Sequence, residues 1–438
     1  MLLIYIHKLT PRVQYIFKHI FGTVLKIDIE FTSNIETFIA HSEYKISYTY
    51  HPLGGELFFE AHPLLFEKGL RSDIDTHVWK EKETICFFKV NLEESAMKFD
   101  PFAASFYLIS RYEEYLDFIP DSFGRFSATE SMAYKNQFLH KPLVDIWTLE
   151  ILGILKRNFP DLKNTNRKFE FLNVLSFSQT WSYKGKGLVR NIAGALHDIK
   201  GAHWEVLKER ISTLLGITKD PMDTYDDIIY YHKKYRLKTF LFFLVADYDL
   251  YDKNISIRNR KFRELIKSIA DYTKIGLYTS YASSIKSYLL AREKRRLEEI
   301  LHYNITRSQQ HFVGIHLPET YRNLVEIGIE EDYTMGFPDY TGFRAATCTP
   351  FFFYDLKNEL ITSLKVFPFV ATSVSLKYYM KLNGEKALRK LLDLMHEVKT
   401  IGGTYICVMQ NDALSDKIPK WKGWKMLYEQ LLEEATKE

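Results

Sequence analysis

The chain has 438 residues, more than one hydrophobic core usually organises, so two or three domains are expected. Apolar residues make up 46% and charged residues 26%, and the net charge is only +4 with the charges interspersed, which excludes the basic stripe of a nucleic-acid binder. The three cysteines, Cys86, Cys348 and Cys407, are odd in number and far apart; they fit a reducing compartment and show no metal-ligand spacing.

The first residues read as a buried strand, Leu2–His7, followed by a helix with Thr10 as N-cap and Pro11 at its first position. Lys8, Arg12 and Lys18 interrupt any signal-peptide core. Strand-like runs follow at Leu57–Phe59 and Ile85–Val90. FDPFAASFYLISRYEEYLDF predicts a helix capped by Asp100, with Pro101 in its first turn and Phe102, Phe106, Ile109 and Tyr112 on one face. Residues 1–160 therefore read as a small α+β domain, and the polar, turn-rich stretch Phe159–Arg167 as its boundary.

From residue 168 to 438 the pattern changes. Apolar runs at 170–177, 238–245, 274–280, 311–317, 332–337, 342–348, 362–369 and 402–410 alternate with helical stretches at 203–215, 257–271, 284–302, 318–327, 375–398 and 421–436. Near-continuous apolar strands separated by helices predict an α/β unit with a parallel sheet, barrel or open. No run reaches the ~18 apolar residues of a membrane span; the longest, TFLFFLVA at 239–246, has the length of a buried strand. The expectation is a cytoplasmic protein with no transmembrane segment and at most loose association with a membrane surface.

Ligands of parallel sheets bind at the C-terminal strand ends. Those ends carry Ser176, Ser178 and Gln179, with Trp181, Tyr183, Lys184 and Lys186 beyond; then Asp247 and Asp249; Tyr278, Ser280 and Tyr281; His316 and Glu319; Arg344; and Gln410, Asn411 and Asp412. A nucleophile reading takes Ser176 or Ser178 with His316 as base and Asp247 as orienter, but no sharp Gly-flanked turn supports it, and two ordinary hydroxyls ending a strand are the favoured reading. His302, His311 and His316 are close in sequence, yet His311 and His316 sit five apart across an expected strand and would face opposite ways, against a zinc site. Arg344, inside an apolar run, either meets a buried carboxylate such as Asp247 or Asp332 or faces a cleft and takes an anion. Lys184, Lys186 and Arg190 form a solvated loop or a phosphate contact. Trp181, Tyr183, Tyr278 and Tyr281 are core residues or a sugar-stacking wall.

In order along the chain, WSYKGKGLVRNIAG, FLFFLVADYDLYDKN, KIGLYTSYASS, HLPETYRNLVEIGIEEDYTMGF, GFRAATCTPFFFYDL and GGTYICVMQNDALSD resemble polysaccharide-deacetylase-like proteins of the NodB type, related to carbohydrate esterase family 4. The resemblance is to a branch with an extra N-terminal domain of unknown function, in which stretches like FDPFAASFYLISRYEEY and LHKPLVDIW recur. It implies a distorted (β/α) NodB-like barrel of about seven strands, a divalent metal, usually zinc, and removal of an acetyl group from an N-acetylated sugar by metal-activated water. It also implies where the machinery would stand. Ser176 and Ser178 occupy the places of an Asp-x-Asp pair, Tyr278 that of a metal-binding histidine, and Gln410 that of a second histidine. Ser373 and Gln309 replace an Asp and an Arg, and Arg344 matches a strand arginine whose usual aspartate partner is missing.

Serine and tyrosine hydroxyls are neutral near pH 7 and bind zinc poorly, and glutamine has no titratable proton. Losing general acid–base help alone costs on the order of 10²–10⁴ in rate, and losing the metal removes the activated water as well. The sequence thus points to a degenerate deacetylase-like protein without zinc or another cofactor. It would bind a glycan, a sugar precursor or a protein partner of surface-polysaccharide metabolism, with Trp181, Tyr183, Tyr278, His316, Arg344, Gln410 and Asn411 around the ligand. The alternatives are an active carbohydrate hydrolase with a relocated site at Asp247, Asp249, His316 or Glu319, and a scaffold whose cleft is plugged by Trp181, Tyr278 and Phe351.

Overall fold

The computed structural model describes residues 1–437 and is a mixed α/β protein with three sheets. The first sheet contains β1 (Leu2–Ile6), β2 (Ile29–Thr32), β3 (Lys45–Thr49) and β4 (Leu57–Glu60) in the order β2-β1-β3-β4. All its pairings are parallel, so this region is α/β in character and not the α+β arrangement expected; antiparallel pairing within it is confined to a separate hairpin, β5 (Trp79–Glu81) with β6 (Thr84–Cys86), and an isolated bridge between Lys89 and Phe99. The local signals act as read. Thr10 Oγ1 accepts from Val13 N at 3.1 Å, with Pro11 opening the helix Pro11–Phe17. Asp100 accepts from Phe102 N and Ala103 N, both at 2.9 Å, with Pro101 opening Pro101–Ile109.

The large sheet comprises β7 (Glu170–Phe177), β8 (Lys238–Leu244), β9 (Lys274–Thr279), β10 (Arg307–Gln310), β11 (Glu331–Asp332), β12 (Phe351–Asp355), β13 (Leu360–Val366), β14 (Ala371–Thr372) and β15 (Thr404–Gln410). Its order is β12-β13-β11-β10-β9-β8-β7-β15-β14, parallel except where β12 meets β13. This sheet is strongly curved. β7 and β10 are three ladder spacings apart, ~14 Å on a flat sheet, yet Ser176 of β7 hydrogen-bonds Gln309 of β10. Tyr333 just after β11 likewise packs its ring 5.2 Å from that of Phe242 on β8. One segment touches both flanks of the curve. Lys365 N, Phe367 N and Phe369 N donate to Glu330 O, Asp332 O and Met335 O at 2.8–2.9 Å, whereas Val370 N donates to Ile406 O at 2.9 Å and β14 pairs with β15.

Strand alternation then sorts side chains between two cores. Leu172 and Val174 of β7, Phe242 and Leu244 of β8, Tyr278 of β9, and Ile406 and Val408 of β15 fill the concave side with Tyr333 and Phe369. The opposite faces join one large core that runs from Leu2 to Ala435 without a break at residue 160. Gly336 allows the interior to close, because a Cβ there would stand 2.2 Å from the Phe369 ring.

Two expected strands are replaced by irregular chain, and a third, 332–337, keeps only Asp332 in β11. Residues 311–317 form a turn with Phe312 and Val313 at positive φ (56° and 57°), and the strand lies earlier, at β10. Residues 342–348 form no ladder because their backbone is satisfied elsewhere: Phe343 N donates to Leu139 O at 2.8 Å, Gly342 N to Val370 O at 2.8 Å, and Ala346 O accepts from Val144 N at 3.0 Å.

The seam between the two sheets is held by buried charge. Asp145, fully buried, accepts from Arg167 Nη1 (2.9 Å), Thr347 Oγ1 (2.7 Å), Cys348 N (2.9 Å) and Thr349 Oγ1 (2.5 Å). Burial alone would raise its carboxyl, but Arg167 and these donors hold it below the usual range. Asp145→Ala leaves a half-buried guanidinium and three donors without their acceptor. The expected result is a loss of about 3–5 kcal/mol in chemical denaturation, whereas a change under ~1 kcal/mol would show that the seam does not depend on this residue.

Candidate functional site

The concave side of the large sheet opens at its C-terminal end into a cavity of about 260 Å³, close to the ~300 Å³ lower end of small-molecule sites. Strand parity explains what lines it. Ser176 continues the inward row Leu172–Val174, and Gln410 continues Ile406–Val408; Tyr278 ends the inward row of β9. Ser176, Ser178, Tyr278 and Gln410, distant in sequence, thus share one wall system with Gln309, Gln310, His311, Thr334 and Thr372. Phe312, Phe369, Tyr378 and Tyr379 supply apolar ring surface.

The polar groups are wired mostly to one another. Ser176 donates to Gln309 Oε1, and Gln309 Nε2 donates to Tyr333 O at 3.2 Å. Ser178 Oγ lies 3.5 Å from Gln410 Oε1, and Gln410 N donates to Ser373 Oγ at 3.0 Å. Thr279 Oγ1 donates to Gln310 Oε1 at 2.7 Å, and Gln310 N donates to Thr334 Oγ1 at 3.0 Å. The Tyr278 hydroxyl meets the Gln410 side chain, and burial pushes its pKa up, so it stays a neutral phenol.

Charge sits behind these walls. Asp332 is fully buried beneath Ser308 (3.0 Å), Thr334 (2.8 Å) and Gln310 (3.4 Å). Burial raises its carboxyl to about 6, and hydrogen bonds from Thr334, Ser308 and Gln310 offset this only in part. Asp252 accepts from Tyr281 N (2.9 Å) and Ala282 N (3.1 Å) and lies 2.9 Å from His311 Nδ1, fixing the imidazole at the rim. Arg125 arrives from the N-terminal region, and its cation is balanced by Asp121 at 2.6 and 2.8 Å. It also donates to Phe312 O and, at 3.0 Å, to the Tyr379 hydroxyl, tying both edges of the opening.

The other sequence candidates lie elsewhere. Arg344 is fully enclosed and does not line the cavity; Nε and Nη2 make a bidentate pair with Glu114 at 2.8 and 2.7 Å, and Nη1 donates to Gly336 O at 3.0 Å. Its partner is neither Asp247 nor Asp332 but a carboxylate 230 residues earlier in the chain. Trp181 packs in the large core. The Tyr183 hydroxyl donates to Glu209 at 3.0 Å, and Asn411 is buried with Nδ2 on Gln179 O at 2.8 Å, joining the first and last strand ends. His316 is exposed and is not brought to His311. Asp247 is held outside by Arg292 (2.5 Å) and Arg296 (2.7 Å), and Glu319 by Lys357 (3.1 Å). Sequence reasoning missed Arg125, Gln310, Phe312, Thr334 and Tyr379; the pair Gln309–Gln310 before His311 was the available signal, and Arg125 had none.

Zinc needs three or more converging imidazole, thiolate or carboxylate donors. The cavity wall offers one imidazole, with Nδ1 on Asp252 and its other nitrogen left as the single available donor, and no carboxylate. Among the described residues, no group of three or more His, Cys, Asp or Glu is placed to hold a metal ion. The donors present do not fit the metal.

A model of a family of unknown function, DUF7033, matches residues 2–160. Among solved structures, the chain is similar to one described as a "putative polysaccharide deacetylase" from Mycobacterium smegmatis, at 11% identity and a TM-score of 0.40, over 62% of this chain and 85% of that one. No curated protein sequence matches the chain.

The enclosed Glu114–Arg344 pair gives the fold a defined acid response. Burial would raise the Glu114 carboxyl, but Arg344 and Arg111 outweigh it and hold the group at about 2, against 4.5 when unperturbed. A depressed carboxyl stabilises the fold fully above its unfolded pKa and loses that contribution as pH falls through the folded one, so the window runs from about pH 4.5 down to 2. The shift corresponds to about 3 kcal/mol. Glu114→Gln is expected to destabilise the protein at pH 7 and to flatten the fall in melting temperature below pH 4.5; an unchanged acid profile would remove the pair from this role.

Proposed function

We propose that the chain is a degenerate polysaccharide-deacetylase-like protein whose cavity grips a neutral glycan or sugar precursor and does not run metal-dependent deacetylation. We further propose that residues 168–438 form a distorted (β/α) barrel of seven strands: β7 to β11, the β13–β14 segment and β15. The support for that architecture is the segment 365–372, hydrogen-bonded to 330–335 on one side and to 406–408 on the other.

One observation carries the functional reading. Ser176, Ser178, Tyr278 and Gln410 share a cavity whose lining is amide, hydroxyl, aromatic ring and the aliphatic side chains of Val313, Pro338, Val374 and Val408, with a single neutralised guanidinium and a single imidazole. Such a wall can donate to and accept from sugar hydroxyls while rings cover the apolar face of a pyranose. It holds nothing that lowers the pKa of water.

A second reading, hydrolysis without a metal, has one observation in its favour. With Nδ1 engaged by Asp252, the remaining nitrogen of His311 is free to take a proton from water or a hydroxyl at the cavity wall.

Calorimetric titration with N-acetylglucosamine and its short oligomers tests the first reading. Binding is expected, weakened roughly tenfold in Tyr278→Ala or Gln410→Ala, with no turnover. The absence of binding, or deacetylation that requires zinc, would overturn it. Zinc-independent release of acetate that is lost in His311→Ala would establish the second reading in its place.

A further inference from the structure

The connection between β7 and β8 carries three helices, and the first two, Gly187–Lys200 and Trp204–Leu214, have reversed amphipathicity. On the first, Leu188, Val189, Ile192, Leu196 and Ile199 face solvent, with Leu188 and Val189 80% and 82% exposed, while Asn191 and Asp198 are buried. The second repeats the pattern: Trp204, Ile211 and Leu214 point outward, and the apolar surface continues through Leu215 and Ile217. The inward side is wired by polar groups. Asp198 accepts from Arg210 Nε at 2.9 Å, the Tyr183 hydroxyl donates to Glu209 at 3.0 Å, and Asn191 Nδ2 donates to Tyr183 O at 3.1 Å. This network fixes which face looks out, so a simple roll of either helix to hide its apolar stripe would strand buried polar atoms. A contiguous apolar face of this kind marks a surface with a partner.

Charge indicates which partner. Of the Lys and Arg between Lys184 and Lys219, Arg210 is paired inward with Asp198 and Lys219 with Asp226, which leaves Lys184, Lys186, Arg190, Lys200 and Lys208 against Glu205 and Glu209, a surplus of three. A symmetric dimer through this face would set those cations against themselves. An anionic bilayer surface meets both properties at once: the apolar side chains enter the acyl boundary and the basic ones remain among the head groups. Neither helix can span, since 14 residues cover ~21 Å of a ~30 Å hydrocarbon core, and no helix among the described residues is long and apolar enough to cross a membrane. Tyr248 and Leu250, exposed on the loop after β8, extend the face, with the Arg190 guanidinium 4.5 Å from the Tyr248 ring.

We propose that these two helices are an interfacial docking device that seats the protein on an anionic lipid surface. The helices leave the sheet at the end that carries the cavity, so docking would bring the opening close to the bilayer. The device stands whether or not the cavity binds sugar.

The test uses the full chain and vesicles of phosphatidylglycerol mixed with phosphatidylcholine, against phosphatidylcholine alone. Trp204, 61% exposed, is the internal reporter. Expected are co-sedimentation with the anionic vesicles that weakens with salt, and a blue shift of emission that disappears in Trp204→Phe. In Ile192→Glu/Leu196→Glu, both positions being exposed and outside the cavity, partition should fall at least roughly tenfold with unchanged thermal unfolding. Failure of the wild-type chain to bind anionic vesicles, or equal binding by the double variant, would overturn the proposal. So would a salt-insensitive dimer that the double variant abolishes, which would assign the face to a second copy of the chain. These readouts do not involve sugar, so their failure is distinguishable from a failure of the cavity reading.

Discussion

A guanidinium with no accessible surface must be neutralised where it stands, and the way Arg344 meets that demand organises much of the molecule. Glu114 takes two of its nitrogens and the Gly336 carbonyl a third, while Arg111 Nε donates to the same carboxylate at 2.7 Å. Glu114 follows the helix Pro101–Ile109, and Arg344 lies in the irregular run 342–348, so the pair pins the N-terminal region beneath the large sheet. Asp145 does the same with Arg167 and residues 347–349, and Arg12 with Glu359. The two regions are thereby joined by buried charge as well as by a shared apolar core, and the loop that carries Arg125 is delivered to the rim of the cavity.

The interior of the sheet answers the same demand differently. Ser176, Gln309, Gln310, Thr279 and Gln410 satisfy one another as neutral donors and acceptors, which spares the cavity the desolvation cost of a charged wall. The acids that persist nearby, Asp332 and Asp252, sit behind that wall and are consumed by hydrogen bonds to Ser308, Thr334 and His311. A pocket made this way has hydrogen-bonding capacity but offers a metal ion no carboxylate and a single imidazole. That is the physical ground for reading it as a grip and not as a metal centre.

Much of this was legible in the residues. The caps Thr10 and Asp100 marked their helices, and the apolar runs at 170–177, 238–245, 274–280 and 402–410 are β7, β8, β9 and β15 to within a few residues. The family resemblance singled out Ser176, Ser178, Tyr278 and Gln410 at the strand ends, and alternation along the parallel strands brings them to one cavity wall. Long-range pairing was not legible. Apolar content alone could not show that 342–348 spends its backbone on Leu139, Val144 and Val370, or that Arg344 meets a carboxylate from the other sheet's region. Nor could it show that 311–317 turns, placing His311 at the cavity and His316 in solvent. The reversed helices at 187–214 were hidden for a related reason: an amphipathic stripe reveals that one face is apolar but not which way that face points.

The central claim is that the strand-end cavity, lined by Ser176, Ser178, Tyr278 and Gln410, lacks the donors to hold a metal ion. Anomalous diffraction at the zinc edge, from crystals grown with excess zinc, tests it most directly. The account expects no ordered peak inside the cavity, whatever surface sites fill. A full-occupancy peak within bonding distance of His311 and two further cavity side chains would contradict it.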